Sequence, residues 1–428
     1  MTSAVTAPLD GPVVETIVTL AGAVAEEVAE VGRLSADEQL TARLNNAVAL
    51  LQWMQSQLTT DREQLAHAEA RLREVLASDE SPADAIRAVF EARGMSAAEQ
   101  AGAAHSSRSP RSAPKPPTVD DVSTYLDARN PGDRAHEVRT LVGGFSKSTL
   151  LVRATLGGVD QDIVLRQIPT GRQAKSLVPE FDVVSFVHSH GLPAPRPLWI
   201  EPGDNALGGA FFATSRAAGS NIGDVWGQVG ASRELCLEIA DLYAALHSLP
   251  IDDVNAPVSP RSTPDELNAM ITWQMDVLEK RGIEIEPVLA GLLAWLRSNI
   301  PAEPARKSLV HGDAAFSNLL VEDSHVSAIL DWEAAHVGYA ADELAYLRPS
   351  IEPVMPWQEF LDRYVESGGT APSLEAMKFF EVWSHVWRHI GCLWLSQNFT
   401  QTARYPSAVA AFVHGPRFLD AAVKAAFL

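Results

Sequence analysis

The sequence predicts an α+β chain: an all-helical segment first, then a part that opens with strands and closes with helices. Three observations predict it. Apolar residues recur at three- and four-residue spacing through residues 1–100, with helix-start signals between the runs. A stretch rich in Pro, Ser and Ala at 101–118 then breaks all periodicity. After it, short alternating runs reach to about residue 216, and longer helical patterns follow to the end, interrupted by strand-like runs inside Leu309–Leu347.

The length, 428 residues, allows two or three domains with a substantial core, and 46% hydrophobic with 21% charged residues is ordinary for a globular protein. A formal net charge of −20 argues against a nucleic-acid partner, which wants a basic face. It suits a cationic substrate equally with plain solubility. The two cysteines, Cys236 and Cys392, stand far apart and outside any metal-type spacing, so neither a disulfide framework nor a zinc site is expected, and a reducing cytosol fits. The first apolar stretch has no basic leader and is broken by Glu15, Glu26 and Glu27, so we expect no signal peptide, no membrane span and a cytoplasmic protein.

Val13, Ile17, Ala21, Val24, Val28 and Val31 form one apolar stripe. Ser35-Ala36-Asp37-Glu38 reads as a capping box before a second helix with Leu40, Leu44, Val48, Leu51 and Leu58 inside. Thr60-Asp61-Arg62-Glu63 repeats the device before Leu65, Leu72 and Val75, and Ser81-Pro82 opens a shorter fourth helix that Gly94 can end. Residues 1–100 carry sixteen acidic against seven basic side chains and no obvious chemistry. A bundle this small has a limited core, so it is expected to dock on the rest of the chain or to form a homodimer through these helices, or else to be simple decoration.

Beyond the linker, a short helix at Val119–Ala128 leads into strands at Val138–Val142 and Ser148–Leu156. Between them lies Gly143-Gly144-Phe145-Ser146-Lys147-Ser148. A glycine-rich turn between strands can close over phosphates and offer backbone N–H groups without side-chain obstruction, although Gly-Gly hairpins are common and neither GxGxxG nor the Walker pattern is present. Gly143, Gly144, Ser146 and Ser148 are the nucleotide-contact candidates there. A third strand, Ile163–Ile168, places Arg166 among apolar neighbours, and the next helix, about Ser176–Ser189, offers Glu180. A cation on such a strand can hold the nucleotide's phosphates, with an acid from the following helix to position it. Gly191–Pro197 is a rigid connection to the next strand, and Phe211–Arg216 reads as the last strand before the chain crosses to its helical part. Thr214, Ser215, Arg216 and Ala217 lie at that crossing.

Four polar residues punctuate the otherwise apolar Leu309–Leu347: His311, Asp313, Asn318 and Asp331. The runs between them, Leu319–Glu322 and Val326–Leu330, look like two short strands. Paired as a hairpin turning at Ser324-His325, they put Asn318 opposite Asp331, a plausible magnesium pair of hard oxygen ligands. H-x-D-x-x-x-x-N followed by a strand-end Asp is also the layout of a kinase catalytic loop and its metal aspartate.

HGDAAFSN followed by LDWE resembles the aminoglycoside phosphotransferase and choline kinase superfamily. The resemblance implies a two-lobed protein-kinase-like fold, with a small antiparallel β-rich lobe at 119–216 and a mainly helical lobe at 217–428. It further implies Asp313 as the base that orients an acceptor hydroxyl, His311 as a brace of the loop, Asn318 and Asp331 as magnesium ligands, and Thr214, Ser215, Arg216 and Ala217 at the crossing as contacts for a nucleobase edge. GGFSKST, VLRQIP, PEF and HGLPAPRP resemble one branch in particular, the kinase-like domains fused to, or encoded beside, acyl-CoA dehydrogenases. That branch typically carries arginine where classical kinases carry lysine, which implies Arg166 as the catalytic phosphate cation with Glu180 as its partner. Glu333, after Asp331, is expected as an acid near the substrate. Where members commonly read GDPxxDLA, this chain reads GYAADELA, with Glu343 at the usual aspartate position. Trp383, His385, Trp387, Arg388 and Trp394 follow in a late helix; heptad-like spacing makes core packing their default, and in the superfamily such helices wall the acceptor pocket, so Trp383 and Arg388 are substrate candidates.

The function implied is transfer of the γ-phosphoryl group of ATP or GTP, with Mg2+, to a hydroxyl of a small molecule. The branch favours a hydroxyacyl thioester or another catabolic alcohol as acceptor; an aminoglycoside or macrolide antibiotic is the rival. A reading of another class is a non-catalytic kinase-like binding module. Competent residue types at every core catalytic position argue against it.

Overall fold

The computed structural model describes residues 62–76, 85, 88–89, 117–141, 147–168, 177–203, 205–223, 229–254, 261–302, 306–402 and 413–427. Most of the expected amino-terminal helices, the linker up to residue 116, and Gly143, Gly144 and Ser146 lie outside the described residues. The chain divides into two compact units that are not contiguous in sequence. One comprises Pro114–Met270 and Ile300–Glu381; the other takes in Ile271–Asn299, Val382–Leu428 and the described residues before Ala113.

In the second of these, helix α1 (Arg62–Leu76) buries Leu72 and Val75. It packs on the helix at Pro287–Ser298, whose Leu289, Leu292, Leu293 and Leu296 are also buried. The closing helix, Gly415–Phe427, packs on that same helix through a face that buries Leu419 and Val423.

The other unit opens with α2 (Val119–Arg129), started by a capping box in which the Thr118 hydroxyl accepts from the Asp121 N–H and the Asp121 carboxylate accepts from the Thr118 N–H. Five antiparallel strands follow: β1 (Arg134–Leu141), β2 (Ser148–Leu156), β3 (Val159–Gln167), β4 (Pro197–Glu201) and β5 (Phe211–Ser215), in the order β1-β2-β3-β5-β4. Gly157 and Gly158, at φ 57° and 82°, supply the left-handed pair that a two-residue hairpin between β2 and β3 requires. One sheet face presents Leu150, Val152, Ala154, Ile163, Leu165, Phe211 and Ala213 to Val122 and Leu126 of α2. Each fully buried aliphatic side chain there contributes about 1.5–3 kcal/mol. The alternation then sends Arg166 to the opposite face, where α3 (Leu177–Ser189) packs near β4 and β5 with Leu177 against Phe212.

Beyond the crossing, Ser232 caps α4 (Arg233–Ser248) through a bond from the Leu235 N–H. This helix buries Leu235, Ile239, Tyr243 and Leu246. A short β6 (Ser220–Asn221) pairs with β8 (Leu319–Glu322), which pairs with β9 (His325–Ile329); β7 (Ser308–Val310) pairs with β10 (His336–Gly338). The register of the β8–β9 hairpin corrects the expectation. Asp323 and Ser324, at φ 50° and 68°, form the turn, so Glu322 lies opposite His325 and Leu319 opposite Ile329. Asn318 therefore pairs through its carbonyl with the N–H of Leu330, at 2.8 Å, and Asp331 is one residue further on, outside the ladder. The reason is turn chemistry: Asp tolerates the left-handed conformation of a two-residue turn better than the Ser-His pair expected there.

Helix α7 (Ala340–Ile351) was not expected; α8 (Trp357–Glu366) follows it, and then α9 (Leu374–Thr402), the late helix that carries Trp383, Trp387 and Trp394. Cys236 and Cys392 are buried free thiols. Among the described residues no helix is long and apolar enough to cross a membrane.

Candidate active site

The loop after β7 is held from four directions. The three residues of β7 are buried and deliver the chain to His311, itself 0% exposed. The His311 backbone N–H donates to the Glu343 carboxylate of α7 at 2.5 Å. Its ring bridges two further groups: Nε2 lies 2.8 Å from the Leu330 carbonyl, and Nδ1 lies 3.2 Å from the Asp313 backbone N–H. A carbonyl needs a donor and an N–H needs an acceptor, so the ring is the neutral tautomer protonated on Nε2. The Trp332 ring packs edge-on against it at 4.6 Å. His311 thus positions the loop and, fully enclosed, does not reach a substrate. Gly312 adopts φ +79°, and a Cβ there would strike the Ala334 carbonyl oxygen, so the tight passage between His311 and Asp313 requires glycine.

Asp313 accepts from two side chains. Asn318, at the end of the 3-10 turn Phe316–Asn318, donates Nδ2 to the Asp313 carbonyl at 2.8 Å and to its Oδ2 at 3.1 Å. Tyr346 of α7 donates its hydroxyl to Asp313 Oδ1. With the Asn318 N–H bonds spent on Asp313, the amide oxygen faces away from that carboxylate as a hard donor. Asp331 follows β9 in the left-handed region, at φ 66° and ψ 58°, which redirects the chain and turns the carboxylate out of the hairpin. Among the described residues no three His, Cys, Asp or Glu side chains converge on one point as a metal cage. A cation held by Asn318 Oδ1 and Asp331 would take its other ligands from water and phosphate, which is magnesium's habit.

Opposite this pair stands a compact ionic cluster. Arg166 Nη2 lies 2.5 Å from Asp331 Oδ1, and Arg166 Nε lies 3.4 Å from Glu180 Oε1. Lys147 Nζ lies 2.7 Å from Glu180 Oε2 and also pairs with Glu333 Oε2. The side chains of Glu180 and Lys147 are 1% and 3% exposed. Burial disfavours the Arg166 charge, yet Asp331, Glu180 and Glu333 outweigh it and hold the guanidinium firmly protonated. Burial likewise opposes the Lys147 charge, and Glu180 and Glu333 reverse that effect. The Glu180 carboxyl is pushed upward chiefly by burial, with Arg166 and Lys147 pulling it back. Arg166 Nε is buried and has no aligned hydrogen-bond acceptor among the described residues, the Glu180 Oε1 atom lying off at 3.4 Å. A buried guanidinium N–H without an acceptor fits a site that receives an anion.

A strand cation with a helix acid, and a braced Asp with an Asn and a second Asp, are now on the page. The sequence model of the phosphotransferase enzyme family, APH, matches residues 137–380, more than half of the chain. The chain belongs to that family.

Relatives of this phosphotransferase-family chain include acyl-CoA dehydrogenase family member 11 of Pongo abelii, 26% identical over 51% of this chain and 29% of the relative. The aminoglycoside 3'-phosphotransferase of Streptomyces fradiae is 24% identical over 47% of this chain and 76% of the relative. The chain thus spans under a third of the length of the acyl-CoA dehydrogenase relatives. Among solved structures, macrolide 2'-phosphotransferase MphH from Brachybacterium faecium superposes with a TM-score of 0.50 at 22% identity, covering 67% of this chain and 96% of that one. A thermostable mutant of aminoglycoside phosphotransferase APH(4)-Ia, in ternary complex with ADP and hygromycin B, superposes at 0.50 with 18% identity, covering 71% and 98%. The fold is the kinase-like α+β fold of those proteins.

Within this member of the family the remaining candidate residues fall as follows. Ser148 opens β2 opposite Gln167. Thr214 and Ser215 end β5; the Ser215 and Arg216 N–H groups already bond the carbonyls of Arg196 and Asp162, at 2.9 and 3.0 Å. The Arg216 side chain pairs with Asp162 at 3.1 Å. Glu333, expected beside the substrate, is the partner of Lys147. Trp383 and Arg388 belong to the other compact unit; Trp383 is 1% exposed, and the Arg388 guanidinium lies over the Phe418 ring at 5.4 Å.

Lys147 and Tyr346 are the site residues that sequence reasoning missed. The signal for Lys147 was its place at the end of the glycine-rich run, where a lone lysine reads as solvated. Tyr346 lies one helical turn beyond Glu343, on the face that meets the loop. Tyr346→Phe should lower kcat by about tenfold or more through loss of a hydrogen bond to a carboxylate, while nucleotide affinity holds; steady-state kinetics alongside calorimetry checks both.

Proposed function

We propose that this chain transfers the γ-phosphoryl group of ATP or GTP to a hydroxyl of a small-molecule acceptor. The observation that carries the reading is the pairing of two half-sites: Asp313, oriented by Asn318 and Tyr346, and Arg166 with Glu180 and Asp331 across from it. Phosphoryl transfer asks the protein for position and charge more than for covalent chemistry. Asp313 accepts a hydrogen bond from the acceptor hydroxyl, aims it in line and takes its proton. Arg166 exchanges Asp331 for phosphate oxygens, and Asp331 is thereby released to face the cation with Asn318. Asn318 and Asp331 would hold magnesium there, and the ion would supply positive charge against the phosphates. Glu180 remains behind Arg166 and keeps it from swinging out of line.

For the acceptor we favour a hydroxyacyl thioester or a related catabolic alcohol, met in a reducing cytosol where Cys236 and Cys392 stay thiols. The likeness to proteins named acyl-CoA dehydrogenase supports this choice. Phosphorylating a hydroxyl also makes it a leaving group, which suits degradation. The domain order proposed is a helical segment at 1–100, a linker at 101–118, a small lobe at 119–216 and a large lobe at 217–428.

The test is mass spectrometry of a mixed hydroxyl panel incubated with the full chain, magnesium and ATP or GTP. The panel holds hydroxyacyl-CoAs, simple alcohols, aminoglycosides and macrolides, with Asp313→Asn as control. A phosphorylated hydroxyacyl-CoA formed by the wild type alone supports the reading. A phosphorylated antibiotic in its place moves the acceptor class. Nucleotide binding with no transfer to any hydroxyl favours a binding module.

A further inference from the structure

We propose that Lys147 is a second cation for the donor nucleotide's phosphates, acting beside Arg166 and held ready in the nucleotide-free site by Glu180 and Glu333. The proposal rests on the phosphotransfer reading above and adds a residue to its donor half.

Placement comes first. In the β2–β3 ladder Thr149 lies opposite Arg166. Side chains two apart along a strand share a face, so Lys147 sits on the Arg166 side of the sheet, diagonal to it and away from the α2 core. In sequence it directly follows the glycine-rich residues 143–146.

Pairing comes second. A lysine 3% exposed is costly unless its charge is matched, and here two carboxylates match it. Glu180 divides its oxygens, Oε1 toward Arg166 and Oε2 toward Lys147. Each cation then takes one further acid from the same short segment, Asp331 for Arg166 and Glu333 for Lys147. The two cations thus share one buried acid and each holds a more exposed one, so phosphate can replace a carboxylate at either.

The charge balance comes third. Two cations face three acids in this cluster, and a polyanionic triphosphate entering it has to displace carboxylates from cations. The partners that can yield are the more exposed ones. Glu333 and Asp331 are each 31% exposed, whereas Glu180 is 1% exposed and stays. Lys147 would therefore exchange Glu333 for phosphate oxygen and keep Glu180, in step with the exchange of Asp331 at Arg166. Lysine serves this role as a compact point charge with three donors.

The test is isothermal titration calorimetry on the full chain with magnesium present, using ATP and GTP against adenosine and guanosine. Lys147→Met should weaken triphosphate binding about tenfold or more and leave nucleoside binding unchanged, and Lys147→Arg should restore most of the loss. The double variant Lys147→Met, Glu333→Gln should stay as weak as Lys147→Met alone. Recovery of wild-type affinity in the double variant would mean that Lys147 only neutralises Glu333, and it overturns the proposal. So does wild-type affinity in Lys147→Met. If that variant fails to fold, the double variant, which removes both members of the pair, carries the test. A wild-type chain that binds neither triphosphate defeats the phosphotransfer reading itself and the proposal with it.

Discussion

Asp313→Asn should leave the chain folded and able to bind nucleotide while turnover falls about 10²- to 10⁴-fold. The substitution keeps the side chain's shape and one carbonyl oxygen. The hydrogen bond from Tyr346 to Oδ1 can therefore persist, and with it the seating of α7 against the loop. What disappears is the second carboxylate oxygen and the negative charge. The amide group then meets the Asn318 Nδ2 donor at 3.1 Å with one acceptor fewer, and it cannot take a proton from a hydroxyl. The loss should appear in kcat more than in KM, because Asp313 acts on the acceptor's oxygen as it attacks. Steady-state kinetics with the identified acceptor, beside a calorimetric nucleotide titration, separates the two. Near-normal kcat in Asp313→Asn would remove Asp313 from the mechanism.

Glu180→Ala should destabilise the chain by about 3–5 kcal/mol, the usual cost of leaving a buried charge without its partner. The effect is large because one carboxylate serves two cations: the change strips the buried member from both Arg166 and Lys147 at once. Asp331 and Glu333 remain, but they are partly exposed and shared with solvent. Chemical denaturation read at Trp332, which packs on His311 within the same unit, reports the shift in midpoint. Glu180→Gln should lose less, since it keeps the volume and one acceptor. An unchanged midpoint in Glu180→Ala would mean that the cluster is hydrated rather than closed, contrary to the 1% exposure of this residue.

Much of this site is legible in the sequence because its chemistry depends on short-range spacing. His311, Asp313 and Asn318 lie within one loop and its following turn, and polar residues in an apolar run stand out. Arg166 and Glu180 stand out for the same reason, each a charge within an element otherwise suited to burial. The β2 and β3 strands are likewise read from their alternation, as the buried Leu150, Val152, Ile163 and Leu165 illustrate. What escaped depends on turn chemistry and on distance in the chain. The β8–β9 register shifted because Asp323 and Ser324, rather than Ser324 and His325, take the left-handed pair. Helix α7 carries no clear signal: its N-cap, Tyr339, makes no side-chain cap and Pro349 lies inside, so it lacks the usual start and shows a breaker. With α7 unrecognised, Tyr346 had no expected route to Asp313, 33 residues away.

The left-handed backbone at Asp331 has a consequence for how this position can evolve. An L-residue at φ 66° and ψ 58° is comfortable chiefly as Gly, Asn or Asp, whose side chains are absent or short and polar. Of these three, Asp alone carries the charge that Arg166 meets. Glutamate would keep the charge but is less at ease in this conformation, and its extra methylene would move the carboxylate from the guanidinium. Backbone geometry and electrostatics therefore act as two independent filters on one codon, and their overlap is a single amino acid. The neighbouring Glu333 lies on the ordinary helical side of φ/ψ space and escapes the first filter. At residue 333 only the electrostatic filter acts, through the pair with Lys147, whereas residue 331 must pass both.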